Sequence, residues 1–438
     1  MKALACRISV SLTVVVAGWG AVPTYYKDVE PILAKHCQNC HRPGETAPMS
    51  FMSYQETRPW VKAIKAAVLT RTMPPWFAQP GAHKFSNDRT LSAVELETLR
   101  NWADNGSPEG NTADKQPTKT FVSGWSIPHP DLVVEMANAI EIPAKGVMQY
   151  KYVIVPLNLK EDRWVQAIEA RPSSPEHVHH AVIYVREPES KMMRDVPPGV
   201  PVELPSRGNH TSLDRGIVAN EFTTYTPGKI VEMWPPGTAK LLRAGSDLLF
   251  SMHYLPNGKP SSDKTRVGMV FAKEPVKQRV LTLCAAAFDF AIPPGAANYP
   301  IPAQVEIPND AKLLRFFPHL HLRAVGFDYW LFSYDAPPDL LLKGTRYDFA
   351  WQLTYELEQP ITLKRGNRVG FVARYDNSAN NPRNPDPSAT VRWGELNDSE
   401  MISGFFDVGI DARYSIPEWI AGGPPPTTRS STITAGTH

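Results

Sequence analysis

Glu176-His177-Val178-His179-His180-Ala181-Val182-Ile183-Tyr184-Val185 reads as a β-strand: it contains neither Gly nor Pro and is rich in β-branched and aromatic residues. Such side chains suit a pleated, half-buried surface. Similar runs flank it on both sides. Tyr150 to Val155, Asp247 to Tyr254, Leu313 to His321, Gly326 to Ser333 and Arg368 to Tyr375 are short apolar stretches, bounded by Pro, Gly, Asn and Asp. Proline is abundant, 43 in 438 residues, and it is excluded from helix interiors and central strands. The pattern predicts β-sandwiches. It extends too far for one sandwich, so two are expected, over residues 126–288 and 289–418.

Upstream the periodicity is helical. Asp28 to His36 reads as one short helix, and Ser53 to Thr70 places Trp60, Val61, Ile64, Ala67 and Val68 at helical spacing. Ser92 and Glu95 form a capping box ahead of Leu96, Leu99 and Trp102, with Gly106 as the stop. Residues 22–110 are therefore expected to form a small all-α domain. A polar linker follows at 111–125, and residues 419–438 read as a disordered tail rich in Gly, Pro, Thr and Ser.

Apolar content of 42% and charged content of 21% are those of a globular protein. The net charge of +2, with no basic block, argues against nucleic acid and against a polybasic membrane patch. Lys2 and Arg7, the apolar run Ile8 to Ala17 and the small residues up to Ala21 read as a signal peptide over 1–21. Export to a periplasmic or extracellular compartment is expected. The apolar run is too short for a stable membrane span. The four cysteines, Cys6, Cys37, Cys40 and Cys284, offer no disulfide framework. Cys284, in Val280-Leu-Thr-Leu-Cys-Ala-Ala-Ala-Phe288, reads as a small buried hydrophobe.

Cys37-Gln38-Asn39-Cys40-His41 has the spacing at which two thiols add to haem vinyl groups and the next His ligates iron. A thioredoxin-like pair would need a βαβ setting, and a zinc site would need a second ligand pair. Met73, in Arg71-Thr-Met-Pro-Pro-Trp76, is the candidate for the other axial position, with Trp76 placed to pack against the ring. Met49 and Met52 are rivals. The segment resembles the small class-I cytochrome c domains, which implies one covalent haem c held by Cys37, Cys40, His41 and Met73.

Five histidines and a methionine complete the candidate set: His179 and His180, His253, His319 and His321, and Met401. Imidazole and thioether donors suit copper, and a sulfur donor favours the reduced state. His319 and His321 are two apart, so on a strand they share a face. His179 and His180 are adjacent and can share a metal only at a strand end or a bulge. His177 is a spare candidate on the side of His179.

The order of these motifs resembles the copper type II, ascorbate-dependent monooxygenases, the family of peptidylglycine α-hydroxylating monooxygenase and dopamine β-monooxygenase. The matching series is a His-His pair, His-Tyr after an apolar strand, His-x-His, and Asp398-Ser399-Glu400-Met401, across roughly Ile127 to Tyr414. The resemblance implies two jelly-roll-like sandwich domains with one copper each. It implies His179, His180 and His253 at the electron-supplying copper. His319, His321 and Met401 would hold the copper that binds dioxygen and act as the catalytic set.

The implied activity is hydroxylation of a substrate C–H bond. Electrons would come from an ascorbate-like reductant or a redox protein, or through the fused haem. Phe317 and Phe405 stand where the peptide-hydroxylating branch carries an Arg and a Tyr that grip a carboxylate. An apolar small-molecule substrate is expected instead. The same residues also admit a non-enzymatic exported electron-transfer or copper-binding protein, or a haem-bearing ligand-binding module.

Overall fold

The computed structural model describes residues 21–45, 47–117, 121, 124–203, 221–228 and 231–426. The signal-peptide reading thus lies almost wholly outside the described residues. The chain is mostly β-sheet with a few short helices, consistent with β-sandwich architecture. No helix among the described residues is long and apolar enough to cross a membrane, which leaves β-barrel spans unaddressed.

The N-terminal helices follow their sequence signals. Ser92 caps helix Ala93–Asp104 through the expected box with Glu95, and Gly106 follows its end at φ +82°. Ser53 caps Tyr54–Thr57; Pro59 lies in a 3₁₀ turn, and the helix resumes as Val61–Leu69. Tyr25, Val29, Leu33, Leu99 and Trp102 form a small core of their own.

The β region holds two larger cores, each beneath a four-stranded sheet. The first such sheet has the order Lys151–Pro156, Asp247–Tyr254, Val178–Arg186, Glu221–Tyr225. The second has the order Tyr299–Glu306, Arg368–Tyr375, Ala324–Phe332, Asp339–Gly344. Both cores draw on one nine-stranded sheet that runs through both halves. Its junction is a short parallel pairing of Thr238–Leu242 with Gln278–Ala287 (Thr238 opposite Gln278, Ala239 opposite Arg279).

Strand Gln278–Ala287 was expected in the first sandwich. It instead pairs along its whole length with Ile402–Asp411 and places Leu281, Leu283 and Ala285 in the second core. Its other face, with Thr282 and Cys284, is also buried. Full burial of each large apolar side chain is worth about 1.5–3 kcal/mol, so a strand covered on both faces is a firm seam between the halves.

Two further expectations are corrected. Trp76 does not face the Cys37–His41 segment; it packs on Tyr355 of the second half, with ring centroids 4.8 Å apart. Gln79 N–H donates to Lys343 O (2.8 Å) and Ser86 N–H to Glu356 O (2.9 Å), so this loop docks onto the second half. The tail expected from residue 419 begins as structure. Helix Ile416–Ala421 has a capping box at Ser415 and Glu418, and its Trp419 is fully buried. Residues 427–438 lie outside the described residues.

Candidate metal centre

The adjacency of His179 and His180 calls for an irregular strand, and one is present. Strand Val178–Arg186 pairs with Asp247–Tyr254, and its register shifts between Val178 and His180. His180 sits opposite His253 in that register. The rings of His179, His180 and His253 meet, with centroids 4.9 to 5.3 Å apart. Among the described residues they form the one group of three or more His, Cys, Asp or Glu with ligand atoms all within 4.8 Å of each other.

His319 ends strand Ala311–His319, and His321 lies just beyond it, so strand alternation does not align the two. Their rings still meet, at 5.5 Å and 83°. His319 also meets His180 edge to face, at 5.5 Å and 90°. The five imidazoles thus occupy one place, where the two halves face each other. Met401 follows Ser399 and Glu400, both of which bind the His321 segment. Ser399 O lies 3.2 Å from His321 Nδ1, and the Glu400 carboxylate accepts from His321 N–H (3.0 Å) and Arg323 N–H (2.7 Å).

The ring nitrogens are divided between fixed and open. His179 Nε2 is 3.0 Å from Phe349 O, and His319 Nδ1 is 2.7 Å from Gln352 Oε1. Such contacts set tautomer and ring orientation at metal sites. His179 Nδ1, His180 Nδ1 and His321 Nε2 are buried with no hydrogen-bond partner among the described residues. Buried polar atoms normally have partners, so these open lone pairs suit a metal ion. His177 differs: Ser174 Oγ lies 2.8 Å from its Nδ1 and Lys259 O 3.3 Å from its Nε2, so both nitrogens are occupied. The spare candidate is a structural residue.

Burial lowers the imidazole pKa values: His179 to about 4, His321 to about 3, and His180 and His253 well below the ordinary 6.5, with neighbouring imidazoles adding to the effect. His319 is lowered by burial too. At neutral pH the cluster is an uncharged set of nitrogen donors.

Three residues around the cluster carry no motif in the sequence. The Tyr150 ring stacks on His253 (4.6 Å, 18°), and its hydroxyl lies 3.2 Å from His180 Nε2. Phe349 stacks on His179 at 4.2 Å, and Gln352 holds His319. Tyr150 opens the expected run Tyr150 to Val155 and directly precedes the strand Lys151–Pro156, whereas Phe349 and Gln352 come from a loop without periodicity. Nearby, Phe317 and Phe405 sit opposite each other in register and stack at 5.9 Å and 27°.

In the helical segment, His41 stacks on Phe51 at 4.3 Å and 11°. Its Nδ1 lies 3.3 Å from Met49 O, which favours Nε2 as the lone-pair nitrogen and puts the Met49 backbone on His41's own side. Burial raises the Cys37 thiol to about 12 and also raises Cys40. Both are free cysteines. Cys40 lines a crevice against the first β half, with Arg171, Pro175, Tyr225 and Gly228. Met73 is half-buried at the end of helix Val61–Leu69, its N–H bonded to Ala67 O (3.3 Å).

No protein-family model matches the chain. No curated protein matches it either. Among solved structures the chain is similar to viral capsid proteins. The major capsid protein P2 of bacteriophage PM2 is 8% identical, with 56% of this chain and 96% of that chain covered and a TM-score of 0.23. The infectious bursal disease virus VP2 subviral particle is 10% identical, with 66% and 75% covered and a TM-score of 0.18. Such scores carry no argument about function, so the chemistry of the site must carry it.

Proposed function

We propose that the protein is a copper-dependent monooxygenase that hydroxylates a C–H bond of an apolar substrate. The observation that supports this best is the cluster of five uncharged imidazoles, three of them with a buried, open ring nitrogen. His179, His180 and His253 would hold one copper, and His319, His321 and Met401 the other. Copper, when bound, supplies one-electron redox chemistry toward dioxygen. The balance is R–H + O2 + 2 electrons + 2 protons giving R–OH + H2O.

The chain's own groups orient and exclude. Phe349 O and Gln352 Oε1 fix two of the imidazoles. The stacked Phe317 and Phe405 offer an apolar surface on the strands that lead to His319 and Met401. The reading includes a cytochrome c-like helical segment and two jelly-roll-like sandwiches. Cys37, Cys40 and His41 have the donor chemistry for a covalent haem c, and Met73 would offer a thioether as a further ligand. That haem would pass on electrons from an ascorbate-like reductant or a redox protein.

Metal analysis of protein matured in an exporting host tests the reading. Two coppers and one haem per chain are expected, followed by oxygen uptake matched to hydroxylated product with apolar substrates. A chain that carries haem and no copper would sink the monooxygenase. Copper without oxygen uptake would leave a copper-binding or electron-transfer protein.

A further inference from the structure

We propose that electrons leave the Cys37–His41 segment through the crevice at Cys40 and enter the histidine cluster at His179, His180 and His253, not at His319 and His321. Tyr225 is the side chain that bridges the two places. This rests on the copper and haem reading above. The Cys40 sulfur, through which a porphyrin would be bonded, lines a crevice against the first β half, and Pro175 and Tyr225 line it from the β side. Both lead directly to the first ligand set. Pro175 stands four residues before His179. Tyr225 is buried, ends strand Glu221–Tyr225 and sits opposite Ala181, the neighbour of His180 on strand Val178–Arg186. From the crevice to the His179–His180 pair there is packed protein, with a single strand pairing to cross.

Electron transfer weakens steeply with distance and passes more readily through bonded, packed atoms than across gaps, so positioning decides the route. The second ligand set is reached less directly. Thr226 Oγ1 donates to Gln352 O (3.0 Å), and Gln352 Oε1 lies 2.7 Å from His319 Nδ1. That path crosses two hydrogen bonds and the length of a glutamine side chain.

Two contacts hold the crevice closed. Arg171 of the first half meets Glu45 of the helical segment (3.5 Å), and Arg42 holds Glu45 in place (2.7 Å). Arg89 of the helical segment donates to Gly228 O (2.7 Å). With Cys40 kept against this wall, transfer needs no docking motion. Each transfer moves one electron: haem iron passes from Fe(II) to Fe(III), and a cupric ion becomes cuprous. An ascorbate-like reductant or a redox protein restores Fe(II), and two transfers supply the two electrons of one turnover.

The test is pulsed one-electron reduction of the full chain, matured with haem, loaded with Cu(II) and kept free of oxygen. Haem absorbance is followed as the electron moves on to copper, with the copper-free chain as blank. Decay of the reduced haem is expected in the wild type and in His319→Ala/His321→Ala, and not in His180→Ala/His253→Ala. Tyr225→Leu should slow the decay several-fold with both coppers retained. Glu45→Lys, which sets like charges beside Arg171 and leaves both ligand sets untouched, should slow it as well, whereas Thr226→Val should not. Decay that survives loss of the first ligand set and vanishes with the second would overturn the entry point. Wild-type rates in both Tyr225→Leu and Glu45→Lys would overturn the route. No decay in a wild-type chain that carries haem and copper, or a chain that matures without haem, would overturn the inference and leave the copper reading standing. A chain that binds no copper would overturn both.

Discussion

Arg315, on a strand of the second half, forms a charge-assisted ion pair with Glu232, which is buried in the first half. The same guanidinium reaches Asp407 at 2.7 Å, and Asp407 also accepts from Thr282 Oγ1 (2.7 Å). Thr223 Oγ1 donates to Glu232 at 2.7 Å. Removing the cation leaves two buried carboxylates without their counter-charge. Arg315→Ala should destabilise the chain by about 3–5 kcal/mol, measured by denaturant unfolding. A loss under about 1 kcal/mol, the range of an exposed pair, would mean that water reaches the network.

Gln352 holds His319 through Nδ1, and Thr226 in turn holds the Gln352 backbone. Partners of this kind typically change metal affinity about 10–100-fold when removed. On the proposed copper reading, Gln352→Leu should weaken the ion held by His319 by that factor and leave the other unchanged, read by competition with a calibrated chelator. Equal weakening of both ions, or of neither, would contradict its assignment to His319.

His177 is the negative control. Both of its ring nitrogens are engaged by Ser174 and Lys259. His177→Gln should keep full copper stoichiometry at some loss of stability, whereas His180→Ala should lose a copper. Loss of copper from His177→Gln, with the fold intact by circular dichroism, would make His177 a ligand.

Glu95 couples the helical segment to pH. Burial alone would raise its pKa. The Ser92 N–H (2.8 Å), Lys35 (3.0 Å) and His36 (3.0 Å) outweigh that and bring it down to about 2 from the ordinary 4.5. A depressed carboxylate stabilises the fold above its unfolded pKa, and the benefit fades as pH falls from 4.5 toward 2. Glu95→Gln should cost about 1 kcal/mol at neutral pH, the scale of a lost cap interaction. It should also flatten the acid dependence of helical-segment unfolding between those limits. An unchanged acid profile would show that Glu95 does not carry it.

Much of the fold was legible because its signals are local. Asp247–Tyr254 and Arg368–Tyr375 form strands with the expected bounds, and the Ser92–Glu95 box caps its helix. The irregularity that adjacent His179 and His180 call for is present in their strand. Trp76 was misplaced because Met73-Pro-Pro-Trp76 gives no indication of where its loop goes. The loop follows the aromatic surface around Tyr355, far away in sequence. Helix Ile416–Ala421 was missed because its six residues adjoin a Gly- and Pro-rich end. The burial of Trp419 is a tertiary fact.

Strand content, the helical start and the order of the histidine motifs can be read from the chain alone, since periodicity, capping and residue chemistry act over a few neighbours. Only the tertiary structure decided that His180 and His319 touch and that Tyr150, Phe349 and Gln352 surround the cluster. It alone tied the halves together through Arg315 and a shared sheet. Those relations depend on strand order and on the path of loops between distant segments. Burial makes them worth forming, and no local pattern in the chain encodes them.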